Sequence, residues 1–206
     1  MKKPDNSIIL NICVIPSDNV SATCKQISQS LASEATMFTL GGDKFAHMTV
    51  FMARFSEENV DKVIKATERA VQPIRSFVCE HTGYFMTEGR YFEVSYRKSE
   101  QFIQLHEALI AGLTQLRINP GKPFEEGYFT PYTNEQRRNA EATGYDLAGN
   151  LYRPHITLTR YKIDKVPASL QAFPEANLSF GLAKVCVYKA DDNGAVYEKL
   201  AEFIIK

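Results

Sequence analysis

The sequence predicts an α+β protein built on antiparallel sheet, and three observations carry that prediction. Apolar strand-like runs are interleaved with stretches of helical periodicity from the first strand onward. Neighbouring strand segments are separated by turn signals such as Asp192-Asn193-Gly194, the mark of hairpins. A polar pattern, His-apolar-Thr-apolar, occurs twice, at His47 and at His155. The two copies lie 108 residues apart, each about halfway through its own half of the chain, which suggests two related lobes facing each other.

The elements follow in order. Residues 7–15 read as a buried strand, and Ser17-Asp18 offers N-cap chemistry for a helix running to about Leu31. Short strands are expected near 36–40 and 45–52. Ser56-Glu57-Glu58 then starts a helix whose Val60, Val63, Ile64 and Ala70 recur at helical spacing until Pro73 stops it. The segments 74–80 and 90–96 read as antiparallel strands, with Thr87-Glu88-Gly89 as a turn. From Ser99 to Leu116 the apolar stripe Phe102, Leu105, Leu109, Leu113 and Leu116 marks a helix with Ser99 as N-cap. The Gly/Pro-rich stretch 119–150 reads as a long functional loop. After a strand at 151–160, Pro167 and Pro174 punctuate a connector, and strands at 178–189 and 195–205 close the chain.

Composition narrows the function. With 206 residues, 44% of them hydrophobic, the chain buries a sizeable core. A net charge of +0 argues against a long nucleic-acid footprint or an anionic membrane surface, while leaving room for a small or single-stranded anionic ligand. Cys13, Cys24, Cys79 and Cys186 show neither C-x-x-C pairing nor zinc-ligand spacing, so reduced thiols in a cytoplasmic protein are expected. The apolar run after Lys2-Lys3 is interrupted by Asn11 and reads as a strand, not a signal peptide, and no run reaches the roughly 20 residues that span a bilayer.

The repeated motif carries the chemistry. Side chains along a strand alternate between faces, so His47 shares a face with Thr49, and His155 with Thr157. A lone strand histidine is more often a packed or surface residue than a catalyst. Here threonine is about one residue in sixteen, and two of four histidines having Thr two positions on is on the order of a 2% accident. Two imidazoles on facing strands supply a base and an acid near neutral pH, and the threonine hydroxyls can donate to phosphate oxygens, the set that in-line displacement at phosphorus requires. No metal is called for. By parity Arg153, Thr159 and Tyr161 join the His155 face and Arg160 points away, while Phe45 and Phe51 share the face of His47. His81 and His106 lack the pattern and receive no role.

His47-Met-Thr49 and His155-Ile-Thr157 resemble the paired His-x-Thr/Ser signature of the two-histidine (2H) phosphoesterase superfamily. The context Arg153-Pro-His-Ile-Thr-Leu-Thr-Arg160 is similar to the second motif of its bacterial 2',5' RNA ligase-like branch, as is the opening strand Ile8 to Ile15 with Pro16 after it. The resemblance implies one bilobal domain over residues 1–206, with two antiparallel sheets and outer helices around a central cleft. It implies a metal-independent enzyme without cofactor that hydrolyses a 2',3'-cyclic phosphate or a 2',5' phosphodiester on a nucleotide or RNA end. His47 and His155 would be the acid/base pair, and Thr49 and Thr157 the phosphate ligands. Arg160 matches a basic residue that follows the second motif, and Arg153, Tyr161 and Phe45 are further candidates for substrate contact. A non-catalytic RNA-end or nucleotide-binding module using the same cleft is the alternative, and neither reading calls for a membrane or an obligate protein partner. The first motif lacks the preceding Pro or Leu common in that branch, and 119–150 has no counterpart in it.

Overall fold

Two four-stranded antiparallel sheets meet along one pair of strands, and helices cover their outer faces. The computed structural model describes residues 6–118, 132–162 and 176–205. The opening strand β1 (Ser7–Val14) is followed by α1 (Asp18–Ser30), β2 (Thr36–Thr39), β3 (Met48–Ser56) and α2 (Val60–Val71). The short β4 (Val78–Cys79), β5 (His81–Met86), β6 (Tyr91–Tyr96) and α3 (Glu100–Leu113) come next. After α4 (Asn134–Thr143) come β7 (His155–Tyr161), the short β8 (Phe180–Gly181), β9 (Lys184–Ala190) and β10 (Val196–Ile204). One sheet has the order β10-β9-β1-β3 and the other β2-β7-β6-β5, while β4 pairs with β8 in a separate two-stranded ladder. Strands β3 and β7 come together where the sheets meet.

The helices exchange sides. The chain leaves β1 of the first sheet, and α1 then packs behind β7 and β2 of the second. It leaves β6 of the second sheet, and α3 then packs behind β3 of the first, with α2 alongside. Each helix presents one apolar face: Val20, Cys24 and Ile27 on α1, and Phe102, Leu105, Leu109 and Leu113 on α3. Between helices and sheets lies a core that includes Leu10, Ile12, Met48, Phe51, Phe55, Ile156 and Leu158. Each such side chain contributes roughly 1.5–3 kcal/mol of burial. On the opposite face of the first sheet Ile9, Cys13, Ala190 and Val196 form a smaller cluster with Phe45, Met52 and Tyr188 packed on it.

Several elements depart from the pattern reading. His47 stands just before β3, which starts at Met48 and runs to Ser56, and a 3-10 turn, Glu57–Asn59, intervenes before α2. An extra strand, β5, forms the hairpin with β6, and the segment 178–189 is broken at Leu182 and Ala183. Within the stretch read as a loop, residues 134–143 are helical: Thr133 and Gln136 make a reciprocal capping box, and Gly144 closes the helix in the left-handed region at φ 85°. Residues 119–131 and the connector with Pro167 and Pro174 lie outside the described residues.

Arg117 Nη2 donates to the Glu141 and Ala142 carbonyls at the end of α4, seating the helix against β3. A Cβ on Gly144 would fall 3.0 Å from the Ala53 Cβ. Gly144→Ala therefore combines a disfavoured backbone with a close contact and is expected to destabilise the fold by about 1–3 kcal/mol in urea unfolding. Unchanged stability would show that α4 does not seat there.

Candidate active site

The two motifs are built alike. His47 Nδ1 donates to the Phe45 carbonyl at 3.1 Å, and His155 Nδ1 donates to the Arg153 carbonyl at 2.6 Å. Each bond spans two residues and places the proton of the neutral ring on Nδ1, leaving Nε2 as the reactive nitrogen. The rings are close enough that a charge on His155 opposes one on His47. Burial, first, and then that like charge lower the His47 pKa, while the Phe45 carbonyl, Gly194 and Asp191 act in the opposite sense.

Immediately after each motif threonine the strand bulges. Thr49 pairs with Cys13 and Phe51 with Ile12, so Val50 is the extra residue; Thr157 pairs with Glu93 and Phe92 with Thr159, so Leu158 is extra. A bulge resets the side-chain alternation. Phe51 therefore turns into the core, away from the His47 face, correcting the parity reading. Thr159 is likewise buried and donates to the Phe38 carbonyl, and Tyr161 lies in the core with no exposed surface, so it does not serve the site. Arg160 is brought round to the face of His155: its guanidinium lies 4.3 Å over the Tyr91 ring, and its Nε donates to the Gly89 carbonyl. Tyr91 shares that face of β6 with Glu93, whereas Phe92 and Val94 enter the core.

Buried side chains from the exchanged helices hold both bulges. His106 Nδ1 on α3 donates to the Val50 carbonyl at 2.7 Å, and Ser28 Oγ on α1 donates to the Leu158 carbonyl at 2.5 Å. His106 Nε2 accepts the Gly149 N–H at 3.1 Å, and its ring stacks on Tyr152 at 4.0 Å, so one imidazole links the first motif to the segment entering the second.

Sequence reasoning missed these two residues and two polar groups at the site. Asn11 Nδ2 donates to Thr49 Oγ1 at 2.9 Å and to the Gly194 carbonyl at 3.3 Å. Since the amide occupies a lone pair of Thr49, the threonine proton is directed elsewhere. Glu93, 3% exposed, sets Oε1 at 3.5 Å from His155 Nε2 and accepts from Arg153 Nη1 through Oε2. Arg153 also lies over the Phe85 ring at 4.9 Å. The available signals were weak: one polar residue in the apolar run 8–15, and one acid in the alternating strand 91–96. Phe45 packs against Tyr188 and the edge of His47, and His81 lies on β5 against Tyr84 and Tyr96. Among the described residues no cluster of His, Cys, Asp and Glu is arranged to hold a metal ion, and no helix is long and apolar enough to cross a membrane.

A family model described as the 2'-5' RNA ligase superfamily matches residues 16–194, most of the chain and both motifs. The chain belongs to this superfamily. No curated protein matches it in sequence. Solved structures share the superfamily's fold. E. coli LigT complexed with NADP+ is 15% identical with a TM-score of 0.65, over 97% of this chain and 98% of that one. TT0787 of Thermus thermophilus is 20% identical with a TM-score of 0.65, over 96% and 98%. A structure described as a phosphoesterase is 16% identical at 0.66, over 97% and 98%. The 2H phosphoesterase fold expected from the motifs is therefore the fold of this chain.

Burial, chiefly, lowers the His106 pKa from 6.5 to about 4. Below pH 6.5 the unfolded chain takes up a proton that the folded chain refuses until about pH 4, so this contribution is complete above 6.5 and drains away as pH falls toward 4. The expected loss over that window is at most about 3 kcal/mol. His106→Asn, which keeps a donor for the Val50 carbonyl, should lose less over the same interval in urea titrations. Parallel loss in both proteins would remove His106 as the cause.

Proposed function

We propose that the protein is a metal-independent phosphoesterase that opens a 2',3'-cyclic phosphate or cleaves a 2',5' phosphodiester on a nucleotide or RNA end. The observation that carries this reading is the matched pair of imidazoles, each tied through Nδ1 to its own backbone and flanked by a threonine on the same face. His47 acts as base: burial favours its neutral ring, whose Nε2 takes a proton from the attacking water. His155 acts as acid: a proton on its Nε2 faces the Glu93 carboxylate and passes to the leaving oxygen as the phosphorus–oxygen bond breaks. Thr49 and Thr157 donate to the non-bridging oxygens, and Arg160 adds positive charge where negative charge grows. Water ends in the new phosphate monoester, and proton exchange with solvent restores both rings.

Purified protein in EDTA should turn over a 2',3'-cyclic nucleotide or a 2',5' dinucleotide, and His47→Ala and His155→Ala should each lose about two or more orders of magnitude in kcat/KM. Full activity in both variants would refute the mechanism, and ligands that bind yet stay intact would indicate a binding module. Since the His47 pKa is lowered, its base form persists below the ordinary imidazole value of 6.5, so the acid limb of kcat/KM should fall below that pH. An acid limb above 6.5 would assign the base elsewhere.

A further inference from the structure

A fixed carboxylate beside a phosphate-binding group opposes the ligand's charge and so calls for a reason. Glu93 stands directly across from Thr157 in the strand pairing, with one oxygen 3.5 Å from His155 Nε2 and the other held by Arg153. Arg153 lies over Phe85, so the ion pair is packed in place. The residue that pairs with Thr49 in the other lobe is Cys13, a buried thiol that desolvation keeps protonated. Among the described residues a carboxylate thus lies across the ladder from Thr157, and a neutral thiol across from Thr49. Two other acids come within electrostatic reach of the histidines and are engaged differently. Asp191, near His47, accepts the N–H groups of Asn193 and Ala195 inside its hairpin, and Asp146, near His155, is held by Gln136, with burial raising its pKa.

Substrate and product differ in the charge that Glu93 would meet. A phosphodiester carries one negative charge, whereas the monoester end released by hydrolysis carries close to two above its second pKa of about 6. Resting on the phosphodiesterase reading above, we propose that Glu93 makes the site selective for phosphate groups of single negative charge, admitting the diester and expelling the monoester. At a separation of about 6 Å and an effective dielectric near 20, an extra unit charge facing the carboxylate is disfavoured by tenfold or more, even after partial screening.

The test is calorimetric binding at about pH 8, where the monoester is doubly charged. Adenosine 3'-monophosphate and its methyl ester are titrated into the wild type, Glu93→Gln and Glu93→Asp. The wild type should bind the methyl ester at least as tightly as the monoester. Glu93→Gln should tighten both ligands, the monoester by about tenfold more than the methyl ester because it carries about one more negative charge, and Glu93→Asp should keep the wild-type preference. A wild-type preference for the doubly charged ligand, or equal gains for both ligands in Glu93→Gln, overturns the proposal. The wild-type comparison decides it even if Glu93→Gln does not fold. Because binding is read without turnover, charge selection by a protein that cleaves none of the diesters would sink the enzymatic reading and leave the role of Glu93 standing.

Discussion

Two hydrogen bonds that never touch the cleft set its geometry: Ser28 to the Leu158 carbonyl and His106 to the Val50 carbonyl. A bulge leaves its extra residue outside the ladder, and a buried carbonyl without a partner costs on the order of 1–3 kcal/mol. The two donors remove that cost and fix each bulge at the position after its threonine. From those two positions follow the inward turn of Phe51 and Tyr161, and the delivery of Arg160 to the face of His155. Both donors come from helices that reached the opposite sheet by exchange, so each motif is braced by an element whose preceding strand belongs to the other lobe.

On this near-symmetric frame the two halves of the site differ in chemistry. Thr49 has a neutral amide and a thiol for neighbours, whereas Thr157 has a carboxylate across the ladder and Arg153 behind it. His47 is desolvated, and His155 faces an anion. A symmetric pair of histidines would be interchangeable; the flanking residues make these two unlike.

Most strands and, among the described residues, three of the four helices were readable because their burial is one-sided, which prints a period of two or of 3.6 into the sequence. Helix α4 escaped because it buries only Ala140 and carries almost no apolar stripe, although Thr133, Gln136 and Gly144 were its written start and stop. Strand β5 was hidden by His81-Thr82-Gly83, which reads as turn chemistry and includes a glycine at φ 134°. The motifs were legible because they repeat. Arg160 and Tyr161 were misplaced because a bulge swaps faces without altering composition: Leu158-Thr159 looks like ordinary alternation until the partner strand is known. Asn11 and Glu93 could not be ranked for the same reason, since a polar residue on a strand looks solvent-facing until something covers it.

The bonds that pin the bulges close very long loops, 56 residues for His106 and 130 for Ser28. Contacts of such sequence separation form only after the intervening chain has been ordered, because the entropy of closing those loops must already have been met by other interactions. Each sheet can assemble its ladder before the helix from the other half arrives, but neither motif acquires its final backbone until both have. The cleft is thus assembled late, and loosening of either sheet loosens both threonines together.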